Sequence, residues 1–417
     1  MKQMTVDIAV IGGGPAGLAA AAEAKRQGAG RVLVIERDIQ AGGILRQCIH
    51  DGFGLHRFGR RMSGGQYAQA FLDEAGKLGV EFLLNAMVLE VTQDRVVYAC
   101  SEKEGMVRIT CGAVILAMGC RERTRAQVFI LGTRPSGILT AGAVQRYINI
   151  EGYLPGKRAV ILGSGDIGLI MARRMTLEGI QVEGVYEIMP TLGGLRRNAV
   201  QCLDDYGIPL HLSTTVTQVY GEQRLERVQV QQVDENRDPI PGTERYIDCD
   251  LLVLAVGLIP ENELSLDAGI QMDPATKGPV VDESFMTSVP GIFACGNVAA
   301  VFDLVDYVSL TGEAAARGAV RYISGRLNTQ APYLDLVRGQ NVGVMLPQRL
   351  RLENLDGPLE VYLRVTKPLG KCRVTVRDGD SELYRKNHPI ALPPEMLCGD
   401  VPLEECRSAP VISVEEV

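Results

Sequence analysis

Two glycine-rich turns carry the clearest chemistry in this chain. Gly12, Gly14 and Gly17 have the spacing G-x-G-x-x-G, with Pro15 and Ala16 inside it. Gly163, Gly165 and Gly168 repeat the spacing, with Asp166 and Ile167 inside it. The pattern suits a dinucleotide diphosphate for three reasons. The first glycine makes a tight turn, the second lets backbone approach the pyrophosphate, and the third lets a helix pack on a strand. The helix that follows offers free N–H groups and a partial positive charge. An acidic residue about 20 positions further on should accept hydrogen bonds from ribose hydroxyls. Glu36 stands 19 residues past Gly17 (36 − 17 = 19), and Glu187 stands 19 past Gly168 (187 − 168 = 19). A carboxylate at Glu187 favours a free 2′-hydroxyl over a 2′-phosphate. Ile188 and Met189 put no arginine beside it, although Arg196 and Arg197 lie within reach of a fold-back. NAD(H) is therefore expected at the second turn ahead of NADP(H).

The elements that must hold these turns can be read on either side of them. Val6–Ile11 is a nearly continuous apolar run, as a parallel strand covered on both faces should be. Ala16–Arg26 has helical composition, and Arg31–Glu36 reads as the next strand. The second unit repeats this plan with a strand at Arg158–Leu162, a helix at Leu169–Glu178 and a strand at Val182–Glu187. Two further strands end in glycine, at Ala113–Gly119 and Leu251–Gly257. A hairpin is expected from Leu225–Val233 and Glu244–Ile247, and a late helix from Ser309 to Ser324. Asn328–Pro332 reads as a linker. Beyond it Leu359, Val361, Leu363 and Val365 alternate with polar residues, as do Cys372, Val374 and Val376.

The expected fold is α/β: two Rossmann-like dinucleotide-binding domains, each a three-layer unit with a parallel sheet, plus a small β-rich C-terminal domain. The expected division is 1–125 with 259–330, then 126–258, then 331–417.

At 417 residues, 46% hydrophobic and 22% charged, the chain is a globular protein of two or three domains. A net charge of −7 argues against nucleic acid or an anionic membrane as partner. No apolar run approaches the roughly 20 residues of a membrane span. The first residues lead straight into a strand with no leader pattern, so the expected compartment is the cytoplasm. The ten cysteines are scattered and form no C-x-x-C. Disulfide frameworks and cysteine metal sites are not expected, and Cys100, Cys111, Cys249 and Cys372 read as buried small hydrophobes.

The order of these pieces resembles the pyridine nucleotide–disulfide reductase-like flavoproteins. Ala117-Met118-Gly119 and Ala255-Val256-Gly257 look like that family's two A-x-G crossings, and Gly291–Asn297 looks like its return motif at the flavin ribityl chain. The resemblance implies FAD at the first turn and a nicotinamide dinucleotide at the second. The stretches Gly42–His50, Gly119–Arg123, Thr133–Gly137 and Asp303–Val308 resemble one subfamily in particular. Its members are encoded beside glycerol-3-phosphate dehydrogenase-like flavoproteins and are similar to subunits of opine, hydrogen-cyanide-forming and sarcosine- or proline-type dehydrogenases. That likeness implies a partner flavoprotein or a small cysteine-rich electron-transfer protein, and leaves room for a homo-oligomer. Two departures matter. Leu45 and His50 stand where the disulfide reductases carry C-x-x-x-x-C, so dithiol chemistry there is excluded. Gly296-Asn297 replaces Gly-Asp, so a ribityl hydroxyl would meet an amide oxygen without charge assistance.

On this basis the FAD contacts are expected from Gly12, Gly14, Pro15, Ala16, Gly17, Glu36, Arg37, Gly42, Gly43, Val88, Ala117, Gly119, Gly296, Asn297, Asp306 and Tyr307. Those of the nicotinamide dinucleotide are expected from Gly163, Gly165, Asp166, Ile167, Gly168, Glu187 and Gly257. Cys48 and His50 are candidates for a thiolate–imidazole pair beside the flavin; a buried thiol and a structural histidine is the competing reading. Asn85–Val88 reads as a strand against the adenine, or as plain core. Asp306 and Tyr307 are expected just before the late helix, whose N-terminus would stabilise a reduced flavin; for Asp306, ordinary capping competes. Arg121 and Arg123 read as surface residues pairing with acids such as Glu122, with a phosphate contact as the competing reading, and His211 and His388 read as structural. No metal-ligand spacing or serine–histidine–acid constellation is present.

Overall fold

The computed structural model describes residues 1–417. The chain divides into two compact units, residues 1–120 with 260–417, and residues 121–259.

The first unit is built on a sheet ordered Glu81–Leu83, Val32–Ile35, Lys2–Ile11, Gly105–Leu116, Val96–Ser101 and Ala86–Val91, with Ile292–Ala294 also pairing Gly105–Leu116. Its centre is parallel, with Ile8 opposite both Val32 and Ala113, and Phe293 opposite Ile115. All four residues of Val32–Ile35 are buried, as a strand covered on both faces requires. The helices Pro15–Arg26 and Val305–Ile323 pack together beside this sheet, and their alanine and glycine faces let the backbones approach closely. A Cβ on Gly312 would run into the Ala16 carbonyl oxygen.

The second unit has a parallel sheet ordered Ile138–Thr140, Leu251–Leu254, Arg158–Leu162, Gln181–Tyr186 and Leu210–His211. The helix Asp166–Leu177 packs on it through Leu169, Met171, Ala172 and Met175. The expected hairpin forms between Arg227–Gln232 and Arg245–Asp248, inside a smaller four-stranded sheet.

Residues beyond 333 form a two-stranded pairing of Leu334–Asp335 with Arg349–Leu350 and two larger sheets. One is ordered Val337–Arg338, Val411–Glu416, Cys372–Asp378 and Ser381–His388, and the other Val342–Leu346, Leu359–Val365 and Leu397–Val401. They enclose their own core, which includes Leu363, Cys372, Val376 and Ile412. Leu346, Tyr362 and Met396 instead join the core of the first unit. A buried polar junction adds to that apolar one. Arg351 donates from Nη1 to Asp282 Oδ2 at 3.0 Å, from Nε to the Ala331 carbonyl at 3.0 Å and from Nη2 to the Thr329 carbonyl at 3.1 Å. Its guanidinium lies 3.8 Å from the centre of the Tyr333 ring, and that of Arg349 lies 3.9 Å from it.

Three expectations need correction. Cys100 is exposed. It pairs with Met87 and Met106, which are also exposed, because Val96–Ser101 lies in the antiparallel part of the sheet where one face meets solvent. The late helix begins at Val305, so Asp306 and Tyr307 sit in its first turn and do not precede it. Asn85 lies outside the strand Ala86–Val91, in the left-handed region with φ +49°.

Asp282 is fully buried, and burial together with Glu283 pushes its carboxyl up to about 7, against the pull of Arg351 and the Ser284 and Met286 N–H groups. Arg351→Met should cost about 3–5 kcal/mol, because it leaves a buried carboxylate without its cation. Protonating Asp282 removes that charge, so the deficit against wild type should shrink as pH falls from 8 towards 5. Denaturant unfolding of both proteins at the two pH values measures this; a deficit that grows on acidification would contradict it.

Candidate functional site

The two glycine turns adopt the same geometry. Gly12 has φ +103° and Gly163 has φ +104°. A Cβ on Gly12 would strike the Ala117 carbonyl oxygen, and one on Gly163 the Ala255 carbonyl oxygen. A Cβ on Gly17 would strike the Gly12 carbonyl oxygen, and one on Gly168 the Gly163 carbonyl oxygen. Gly14 and Gly165 differ from these: nothing lies within 4 Å of a Cβ on either. The first and third glycines thus pack helix onto strand, and the second faces open space at a helix N-terminus. That is the cradle a dinucleotide diphosphate requires.

Both acidic residues are buried and held from behind. Glu36 Oε2 accepts from the Gly13 N–H at 2.7 Å, and Oε1 from the Asp38 N–H at 2.8 Å. Glu187 Oε2 accepts from the Ser164 N–H at 2.8 Å and the Ser164 hydroxyl at 2.7 Å, and Oε1 from the Met189 N–H at 2.9 Å. Bonds of this kind hold a carboxylate in one orientation.

A second shared feature is absent from the motif reading. Gly42-Gly43 follow Glu36 at the same offsets as Gly193-Gly194 follow Glu187. The Gly42 N–H donates to the Gly13 carbonyl at 2.7 Å, and the Gly193 N–H to the Ser164 hydroxyl at 2.8 Å. A Cβ on Gly43 would lie 2.9 Å from Gly14 Cα, and one on Gly194 would lie 2.9 Å from Asp166 N. Each glycine pair lies over its own turn. The matched offsets were the signal available in the sequence. Asp166 secures the second loop: its Oδ1 accepts from the Leu195 N–H at 2.9 Å and from Asn198 Nδ2 at 2.7 Å. Arg196 and Arg197 stand exposed at the start of the helix Arg196–Cys202.

Pro15 occupies the first helical position after Gly14, where its missing N–H is no loss, and Arg37 is exposed. The Ala86 N–H donates to the Glu36 carbonyl at 3.0 Å, which brings buried Val88 to the same strand ends. Ala117 and Gly119 leave the sheet at the Gly12 turn; Gly119 has φ +73° and its carbonyl accepts from the Glu261 N–H at 3.0 Å.

At the return motif, the Gly296 N–H donates to Thr311 Oγ1 at 2.9 Å, and a Cβ on Gly296 would lie 2.7 Å from the Ala16 Cβ. Asn297 Oδ1 accepts from the Phe302 N–H at 3.0 Å, and its Nδ2 lies 3.5 Å from Cys120 Sγ. Asp306 is 4% exposed. Its Oδ2 accepts from the His56 N–H at 3.2 Å, while its Oδ1 is buried with no hydrogen-bond partner. Tyr307 stacks on His56 at 6.1 Å and meets Tyr362 edge-on at 5.7 Å. His56 and Tyr67, whose hydroxyl lies 2.8 Å from Ser309 Oγ, were not singled out in the sequence.

Cys48 is buried and its thiol donates to the Ile44 carbonyl at 3.4 Å. The His50 ring lies 5.0 Å from Phe53, with Nδ1 3.1 Å from the Asp51 carbonyl. Cys111, Cys249 and Cys295 are pushed up to about 12 by burial, so their thiols stay neutral. Gly257 has φ +100° and its carbonyl accepts from the Arg123 N–H at 3.0 Å; Ile167 is half-buried beside the second turn. His211 stacks on Tyr186 at 4.7 Å, a packing role. Arg121 and Arg123 are exposed.

Residues 6–318 match the family model described as pyridine nucleotide-disulphide oxidoreductase. An opine oxidase subunit of Agrobacterium tumefaciens is 28% identical over 349 residues, covering 79% of this chain and 66% of that one. Hydrogen cyanide synthase subunit HcnB of Pseudomonas protegens is 26% identical over 286 residues, covering 64% of this chain and 60% of that one. The matched stretches therefore span less than two thirds of either relative. Thioredoxin reductase of T. acidophilum superposes with a TM-score of 0.60 at 23% identity, over 76% of this chain and 98% of that one, and so shares its fold.

The two kinds of glycine should separate by mutation. Gly14 has φ −77°, which any residue can adopt, so Gly14→Ala should leave the unfolding midpoint of FAD-free protein unchanged while weakening FAD binding about tenfold or more. Gly12→Ala places a Cβ at positive φ against a carbonyl and should cost about 2 kcal/mol or more before any ligand is added. Thermal unfolding and flavin fluorescence titration distinguish the two. An equally destabilised Gly14→Ala protein would show that this glycine packs and does not open.

Proposed function

The chain belongs to the pyridine nucleotide-disulphide oxidoreductase family, and from that premise we propose that it exchanges a hydride between NAD(H) and FAD and passes electrons to or from a partner redox protein. Members of the family bind FAD and a nicotinamide dinucleotide, and the chain is an FAD-dependent oxidoreductase. The repeated cradle carries the proposal: two open glycines, each with a buried carboxylate behind it.

In this reading FAD lies in the first unit, along Gly12–Gly17, Glu36, Arg37, Gly42-Gly43 and Val88, with its flavin end towards Gly296, Asn297, Asp306 and Tyr307. Bound FAD supplies the hydride-accepting and electron-carrying chemistry. The protein's own work is placement. Glu36 and Glu187 orient the riboses, and the helix N-termini neutralise diphosphate charge. The unpartnered Asp306 Oδ1 fits a donor N–H on a bound group. The buried Cys48 thiol, held on the Ile44 carbonyl, fits a bystander better than a nucleophile.

The preference for NAD(H) rests on Glu187, whose position Ser164 and Met189 fix. No helix of the chain is long and apolar enough to cross a membrane, and we assign it to the cytoplasm. We link the reaction to glycerol-3-phosphate oxidation through the subfamily resemblance. A second reading, a nucleotide-binding component of an amine- or opine-type dehydrogenase, is favoured by the likeness to the opine oxidase chain. A scaffold that binds nucleotides without turnover is the third reading, and two intact cradles argue against it.

Anaerobic mixing of the FAD-loaded protein with NADH should bleach the flavin rapidly, and NADPH should do so slowly. Glu187→Ala should narrow that preference by a factor on the order of ten, the loss of roughly 1.4 kcal/mol of discrimination. A flavin that neither nucleotide bleaches would overturn the hydride reading and leave the amine- or opine-type component and the scaffold.

A further inference from the structure

After Gly42 and Gly43 the chain makes an excursion away from the glycine turn. Residues 44–63 leave the phosphate-binding turn and return where the Gly64 N–H donates to the Cys48 carbonyl at 2.9 Å. In between, the short helix Leu55–Phe58 is pinned to the start of Val305–Ile323. The His56 N–H binds Asp306, the His56 ring stacks on Tyr307, and Arg57 Nη2 donates to Glu313 Oε1 at 2.5 Å. Phe58 packs edge-on against Tyr67 at 5.2 Å and Phe71 at 5.5 Å. The excursion is therefore anchored beside the helix N-terminus assigned above to the flavin.

Its outward side is basic and partly apolar. Residues 44–63 carry Arg46, Arg57, Arg60 and Arg61 against a single acid, Asp51, a net charge of +3. The other residues then total −10, since the whole chain is −7 and −7 − 3 = −10. Arg57 is spent on Glu313. Arg60 is exposed, and Arg61 meets Asp51 only as an exposed pair at 3.4 Å, a contact worth little in water. The same stretch leaves Ile44 57%, Ile49 49% and Leu55 46% exposed. Exposed apolar side chains beside exposed Arg60 and the weakly paired Arg61, on a protein of net charge −7, match a surface that steers and seats an acidic partner.

We propose that residues 44–61 are the docking face for an acidic electron-transfer protein, seated where the flavin end of the FAD site reaches the surface. This rests on the function proposed above and gives its partner a chemistry.

The test uses FAD-loaded protein reduced photochemically, so that delivery from NADH is not needed. It is mixed with cytochrome b5, an acidic haem protein, or with cytochrome c, a basic one. Reduced FAD gives up two electrons and two protons; each ferric haem takes one electron, so two haems are reduced per flavin and the protons pass to solvent. Arg60→Glu/Arg61→Glu should slow oxidation by cytochrome b5 about tenfold or more and speed it by cytochrome c. Arg60→Lys/Arg61→Lys should keep the wild-type pattern. Calorimetric binding of cytochrome b5 to the oxidised protein should weaken in the glutamate variant and with added salt. An unchanged unfolding midpoint confirms that the exposed substitutions leave the fold intact. Equal rates and affinities in all three proteins would overturn the docking face. So would charge-dependent binding to anionic phospholipid vesicles, or charge-dependent dimer formation, with cytochrome b5 unaffected. A flavin that NADH cannot reduce would count against the proposed function alone, and this test would still read.

Discussion

At Gly12 and Gly163 the carbonyl oxygen of the neighbouring strand end occupies the place where a Cβ would sit, and at Gly17 and Gly168 the turn's own carbonyl does the same. This close approach brings the helix N-terminus directly over the carboxyl ends of the parallel strands. The turn can then offer its N–H groups outward, and the acidic residue ending the second strand can reach back beneath the turn. Glu36 binds the Gly13 N–H and Glu187 the Ser164 N–H for that reason. A methyl group at any of these four positions would push helix from strand and break the alignment of diphosphate cradle and ribose carboxylate together.

Much of this was legible in the sequence because it is local. Glycine spacing, an apolar strand before the turn and an acid 19 residues after it are encoded within about thirty residues, and both units took the expected form. The helix start was misplaced because Leu304 caps Val305–Ile323 without a side-chain hydrogen bond, so none of the usual cap residues marks the boundary. Cys100 was misjudged because alternation in Val96–Ser101 does not say which face meets solvent. His56 could not be connected to Asp306, 250 positions away, by any periodicity.

The C-terminal sheets show the same limit on a larger scale. Their alternating strands were readable. Their attachment was not. It depends on Tyr362 joining a core built from residues far earlier in the chain, and on Arg351 reaching Asp282, and no spacing rule links those positions. The cysteines make a related point. Most are buried free thiols, and three are held neutral by burial, so the redox chemistry assigned to this chain belongs to its nucleotides.

That attachment ties the fate of residues 333–417 to the first sheet and its glycine turn. The Tyr362 and Arg351 junctions bind the C-terminal sheets to the first sheet and couple their unfolding to it. A ligand that binds only the folded state withdraws the unfolded chain by mass action. Under the proposed function, FAD held at Gly12–Gly17 would protect peptide bonds in strands it never touches. Resistance of the C-terminal sheets to a protease would then become a gauge of flavin occupancy at that turn.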